Sequence, residues 1–295
     1  MKTVIRHCGR TRCDLPRSAR PCQVDPSQLP AVPSTLLIPL AARAAGPRQF
    51  PWLDCHDAHA ADLLHCLDVQ PDQYLADAPT VINILWRTRE IKRVAQTFFK
   101  RWPRAHGVNL GSGLSCHFQW LDNDHNHWVD ADLPTVVELR QALLPSPSPR
   151  WRHQPLDLRL SDWWSLLGLP DRKATTPVLI VCEGVLMYLQ PEQVHAILHT
   201  FAEQAPHGSL FVMDTLSALA VGHARLHASV GPTGAEFRWG LHGAGELTAV
   251  HPRLHLASLR SVTECYGWPA QLTEACWQPW LGSPFYGVAV LKTRD

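Results

Sequence analysis

The chain has 295 residues, 45% of them apolar and 18% charged. That supply of apolar side chains supports a sizeable core and excludes a wholly disordered chain. A net charge of +1 gives no global field for nucleic acid or a membrane surface, and no stretch reaches the roughly 18 apolar residues of a spanning helix.

The length suits one large α/β domain with an N-terminal extension, or two small domains. Nine scattered cysteines, odd in number and without a C-x-x-C pair, read as reduced thiols in a cytoplasmic protein. The first residues carry Lys2, Arg6, Arg10, Arg12, Arg17 and Arg20 against Asp14. They lack the apolar run of a secretory signal. Residues 1–33, Pro-rich from 21 onward, therefore read as a basic disordered tail.

From Thr35 to about Lys100 the pattern is helical. Leu36, Leu37, Leu40 and Ala44 form one apolar stripe, and Asp62 to Leu67 a short helix. Ile91, Val94, Ala95, Phe98 and Phe99 mark a longer helix that Pro103 ends. This gives a helical cap over 34–104.

After residue 105 strands and helices alternate. His106–Leu110 and His127–Asp132 read as strands, Pro134 opens a helix, and Trp151–Leu158 is a third strand. Asp162–Leu167 is a short helix. Pro177–Cys182 is a continuous apolar run, as in a strand buried on both faces. A helix from Pro191 to Gly208 and a strand at Ser209–Met213 follow. Residues from about 216 to 250 have no clean period and are expected to roof a substrate. His255–Val262 and Tyr286–Leu291 complete the strands. Such alternation means a doubly wound α/β core over 105–295.

The first strand runs into Gly111-Ser112-Gly113. Glycines there bring bare backbone close to a ligand at the sheet's carboxyl edge. The third glycine of a dinucleotide fingerprint falls at Cys116, which argues against NAD and an oxidoreductase. Asp132, about 20 residues on at the end of the second strand, is placed to accept ribose hydroxyls. Asp130 shares its strand face. An adenosine-bearing ligand is the reading these residues support.

Four segments together resemble the leucine carboxyl methyltransferase family, including its tetracenomycin-type polyketide O-methyltransferase branch. They are Val108–Leu114, Asp130–Pro134, Leu156–Leu158 and Cys182–Leu189, the last reading Cys-Glu-Gly-Val-Leu-Met-Tyr-Leu. The resemblance runs from about residue 34 onward. It implies a Rossmann-like class I methyltransferase fold with a mostly parallel seven-stranded sheet, a helical N-terminal cap, and S-adenosylmethionine as donor. By position it places Arg87 at the methionine carboxylate, with Arg43 assisting. It places Gly111, Ser112 and Gly113 along the methionine end and Asp132 at the ribose. Asp157 and Leu158 flank the adenine, and Glu183 meets the amino group. Where the family often has Asp-Thr, this chain has Ser115-Cys116.

The chemistry agrees. A zwitterionic amino-acid end needs one cation and one anion, and charge-assisted pairs are the strong ones. Methyl transfer gains most from alignment in a dry site. An ionised carboxylate acceptor needs no base, whereas a phenol, with pKa about 10, benefits from one. Tyr188, His223 and His242 are the candidate groups for that task. Trp239, Trp268, Trp277 and Trp280 are places where an aromatic acceptor could stack. No metal is expected: His195 and His199 lie on the polar face of their helix, and no third ligand has a recognisable spacing.

The sequence thus points to O-methylation of a small natural-product-like molecule, on carboxylate or hydroxyl, without nucleic-acid or membrane partners. Methylation of a protein C-terminal carboxylate, and a cofactor-binding partner protein without turnover, are the alternatives.

Overall fold

A computed structural model describes residues 35–295, apart from 145–147 and 161 and the side chains of 278, 279 and 281. The expected basic tail lies outside the described residues. The cap comprises α1 (Leu37–Ala45), α2 (Ala60–Cys66), α3 (Asp72–Leu75) and the long α4 (Ala78–Arg101). Asp77 caps α4, accepting from the Thr80 amide, and Lys100 and Arg101 close it, which matches both ends of the helix dipole. Val81, Leu85, Ile91, Ala95 and Phe99 recur on one face of α4 and are buried. At about 1.5–3 kcal/mol per fully buried large side chain, that face binds the cap to the sheet.

The core continues as β1 (His106–Leu110), α5 (His117–Leu121), β2 (His127–Asp132), α6 (Pro134–Leu143), β3 (Trp151–Pro155), α7 (Trp163–Leu166), β4 (Val178–Cys182), α8 (Pro191–Gln204), β5 (Leu210–Leu216), α9 (Glu246–Ala249), β6 (Leu254–Ser261), α10 (Trp268–Leu281) and β7 (Tyr286–Thr293). The seven strands form one sheet in the order β3-β2-β1-β4-β5-β7-β6. The pairings among β1 to β5 are parallel. β7 runs antiparallel to β5 and β6.

β4 is buried along its whole length. Leu179 and Val181 pack with the cap and α4, while Val178, Ile180 and Cys182 pack with α7 and α8. A two-sided layer explains why this strand reads as an unbroken apolar run. The strand order reverses between β1 and β4, so a crevice opens at their carboxyl ends, where such sheets bind ligands.

Two elements differ from the sequence reading. β3 ends at Pro155 rather than 158, because the chain turns after the Leu156 amide bonds the Asp132 carbonyl. The helix α10 has no counterpart in that reading. Its Trp268, Leu272, Trp277 and Trp280 are exposed, so no buried stripe announces it. Among the described residues the cysteines are free thiols, and no helix is long and apolar enough to cross a membrane.

Candidate active site

The turn after β1 is forced by packing. Gly111 has φ +67°, and a Cβ there would lie 2.2 Å from Val185 Cγ2. Only glycine takes this conformation without strain. The amides of Gly111 and Ser112 both donate to the Ala131 carbonyl, at 2.8 and 3.1 Å. Asp132 accepts from the amides of Gly113 and Leu133, each at 2.7 Å. Burial raises the Asp132 pKa, and those two amides oppose the shift.

Arg140 on α6 pins the turn from beneath. It donates to the carbonyls of Gly113 and Ser115 at 2.7 and 3.1 Å and to Asp130 Oδ2 at 2.6 Å. Asp130 also accepts from the indoles of Trp128 and Trp151. Asp130 is therefore a fully paired support, distinct from its neighbour Asp132, which lines the cavity.

A cavity of about 700 Å³ opens over this turn. Arg43, Arg87, Gly111, Ser112, Gly113, Asp132, Asp157, Leu158 and Glu183 all line it. Arg87 Nε donates to Glu183 Oε1 at 2.9 Å, and Arg87 Nη1 donates to Asp214 Oδ2 at 3.0 Å and to the Tyr286 hydroxyl at 2.8 Å. The Tyr286 hydroxyl donates in turn to Asp214 Oδ2 at 2.7 Å, and Asp214 Oδ1 accepts from the Gly184 amide at 2.7 Å. Glu183 also accepts from Thr88 at 2.9 Å. Burial pushes the Glu183 carboxyl up, but Arg87, His117 and Arg43 outweigh it and hold it below its ordinary value. Burial drives the Tyr286 phenol well up, so it stays protonated.

Arg43 donates to Asp57 at 2.9 Å and to the Leu114 carbonyl at 3.0 Å. Asp157 is held by Arg159 at 2.8 Å, and that side-chain hydrogen bond lowers its pKa. Ser115 accepts from Asn109 at 2.7 Å and contacts His117 Nδ1 at 2.9 Å. Cys116 is buried.

Three buried polar atoms here lack a hydrogen-bond partner: Asn109 Oδ1, Ser112 Oγ and His117 Nε2. His117 Nε2 lies 3.5 Å from Glu183 Oε2. Buried polar groups are normally satisfied. Unsatisfied groups beside an Arg–Glu pair and a bare glycine turn fit a polar, zwitterionic ligand end.

The opposite side is built differently. Between β5 and β6 the chain supplies Leu219, His223, Leu226, His227, Phe237 and Arg238 to the cavity. Tyr188 lines the cavity and packs on Phe237 with ring centroids 5.8 Å apart. Burial pushes its phenol up to about 12, which leaves it a proton donor rather than a base. His223 also lines the cavity and is exposed. His242 does not. Its neighbour Leu241 is buried and bridged to Ser217, which leaves His242 exposed with its amide on Glu246. Trp239 is buried in the core, and Trp268, Trp277 and Trp280 are exposed outside the cavity.

Sequence reasoning missed Asp214, Tyr286 and Arg140. Asp214 and Tyr286 sit on strands far from the motifs, and Arg140 looked like an ordinary cation on an amphipathic helix. A lone acid inside the buried run Leu210–Leu216 was the available signal for Asp214.

The sequence profile of the leucine carboxyl methyltransferase family matches residues 37–202. The chain belongs to that family. It is an S-adenosylmethionine-dependent methyltransferase, and S-adenosylmethionine is its cofactor. Among curated proteins it is 28% identical over 228 residues to the tetracenomycin polyketide synthesis O-methyltransferase of Streptomyces glaucescens, covering 77% of this chain and 82% of that one. It is 27% identical over 119 residues to an S-adenosyl-L-methionine-dependent methyltransferase of Gibberella zeae, covering 38% and 39% of the two chains. A crystal structure of a putative methyltransferase from Thermobifida fusca shares the fold, with TM-score 0.55, 14% identity and coverage of 88% and 95%. This methyltransferase therefore places its matched motifs on the cavity side of the sheet and its unmatched C-terminal residues, Asp214 and Tyr286, against them.

Proposed function

We propose that this methyltransferase alkylates a carboxylate or hydroxyl oxygen of a small, largely apolar, natural-product-like molecule in the cytoplasm. The observation that carries the reading is one cavity with two unlike walls: a buried Arg87–Glu183 pair beside the glycine turn, and a roof of apolar side chains opposite.

The residues suit the cofactor as follows. Arg87 takes the methionine carboxylate, with Arg43 assisting, and Glu183 takes the ammonium. Gly111, Ser112 and Gly113 lie along the methionine chain, Asp132 accepts the ribose hydroxyls, and Asp157 and Leu158 flank the adenine. The bound cofactor supplies an electrophilic methyl group on a sulfonium. Leu219, Leu226 and Phe285 line the cavity while remaining largely exposed, as wall and rim for an apolar acceptor body. Alignment of acceptor oxygen, carbon and sulfur supplies most of the rate.

The resemblance to the Streptomyces glaucescens polyketide synthesis O-methyltransferase supports a polyketide-like acceptor. The test is mass spectrometry after incubation with S-adenosylmethionine and a panel of aromatic acids, phenols and peptides with free C-termini. One added methyl on the small acids or phenols, and none on peptides, is the expected result. Modification of peptides alone would move the assignment to a protein carboxyl methyltransferase. Cofactor binding with no product from any acceptor would leave a partner protein without turnover.

A further inference from the structure

The methyl-transfer cavity absorbs the sequence motifs but leaves one histidine pair unexplained. His199 and Glu203 stand one helical turn apart on α8, and the loop ahead of β6 brings His251 to them. Ligand atoms of the three lie within 4.8 Å of one another. His251 Nε2 contacts Glu203 Oε1 at 2.6 Å, and the rings of His199 and His251 meet edge to face at 5.3 Å. The ring of His195 stacks on that of His199 at 6.2 Å. None of these residues lines the methyl-transfer cavity.

We propose that His199, Glu203 and His251 bind a zinc ion or a similar borderline divalent metal. Two imidazoles and one carboxylate are the donor set such metals prefer, whereas magnesium and calcium prefer oxygen alone. Zinc holds nitrogen and oxygen at about 2.0–2.2 Å, so the three donors close on it through small side-chain shifts. A fourth position stays open to water or His195.

The backbone on both sides is already fixed. Arg253 donates to the carbonyls of Ala202, Ala205 and Arg294, which clamps the strand lead-in carrying His251 onto the end of α8. His251 Nδ1 accepts the Arg253 amide at 3.1 Å, so Nε2 bears the ring proton and donates it to Glu203. Coordination through Nε2 moves that proton to Nδ1 and gives up the Arg253 bond. No proton leaves the ring, and the lost bond is small against a metal–imidazole bond. The third ligand was invisible in the sequence because His251 lies 48 residues from Glu203.

The test is calorimetric titration of the full-length, tag-free protein with zinc chloride, together with cobalt spectra. One zinc per chain is expected, with cobalt showing nitrogen–oxygen bands and no thiolate charge-transfer band. H199A and H251A should each weaken zinc binding by an order of magnitude or more and abolish the zinc-induced rise in Tm. Methyl transfer should be unchanged. His199 is exposed, so H199A tests the site even if H251A fails to fold, and E203Q keeps the shape while removing the charge. Absent zinc binding at micromolar protein, zinc binding indifferent to H199A and E203Q, or a dominant thiolate band from the cysteines would each overturn the site.

Discussion

The two walls of the methyl-transfer cavity are built on opposite principles. The sheet-side wall is a lattice of buried charge: Arg87 with Glu183 and Asp214, Arg43 with Asp57, Arg140 with Asp130. The roof presents Leu219 and Leu226, both largely exposed, with His227 tied to Thr80 at 3.3 Å and Ser229 to Asp77 at 2.8 Å. Buried ion pairs tolerate little change, because removing one partner strands the other in low dielectric. Exposed apolar side chains tolerate much. The first wall suits a ligand that never varies, and the second an acceptor that can.

The sharpest way to break this contrast is Arg87→Ala. It leaves Glu183 and Asp214 buried without their cation, at a cost of about 3–5 kcal/mol. A large fall in Tm and complete loss of the stabilisation given by S-adenosylhomocysteine are expected; a variant that still gains stability from that ligand would remove Arg87 from the site.

Gly111→Val comes next. The left-handed backbone costs about 1–2 kcal/mol for a residue with a Cβ, and the clash with Val185 adds to it. Calorimetry should show cofactor binding abolished while far-ultraviolet circular dichroism is largely kept.

Tyr286→Phe sharpens the contrast from the sheet side. It deletes the hydroxyl shared by Arg87 and Asp214, worth about 1–2 kcal/mol. The Kd for S-adenosylhomocysteine should rise about tenfold, by that same arithmetic, with acceptor KM little changed. Leu226→Ala and Phe285→Ala should do the reverse. Acceptor KM should climb several-fold at constant cofactor affinity, with stability changed by no more than about 0.5 kcal/mol.

The smallest effect is on pH. Burial lowers the pKa of His117 in the charged wall and of His227 in the roof, against partial opposition from Glu183 and Asp77 respectively. Above the ordinary value of about 6.5 both are neutral, folded or unfolded. As pH falls below it, the unfolded chain takes up protons first, so stability drops until the folded pKa values are passed. A gentle decline in Tm between about pH 7 and pH 5 is expected, and His117→Asn and His227→Asn should each flatten part of it.

How much of this was legible in the sequence depended on locality. β1 with its glycine turn, β4 and α8 were readable because each carries a continuous pattern over adjacent residues. The positions carried over from the family segments, Arg43, Arg87, Asp132, Asp157 and Glu183, all line one cavity. Asp214 and Tyr286 were not readable, since their meaning arises only when β5 and β7 pair. Arg140 was hidden because an arginine aimed inward at carbonyls has the same sequence signature as one facing water. His242 failed for a related reason: in an aperiodic segment nothing in the sequence says which neighbour turns inward.

The bond from Arg87 to Tyr286 spans 199 residues of chain. Tyr286 opens the strand that slots between β5 and β6. Contacts of such separation carry a loop-closure cost that slows folding. The donor pocket is complete only once this last strand has paired, so cofactor binding is expected to report on native strand order rather than on helix content.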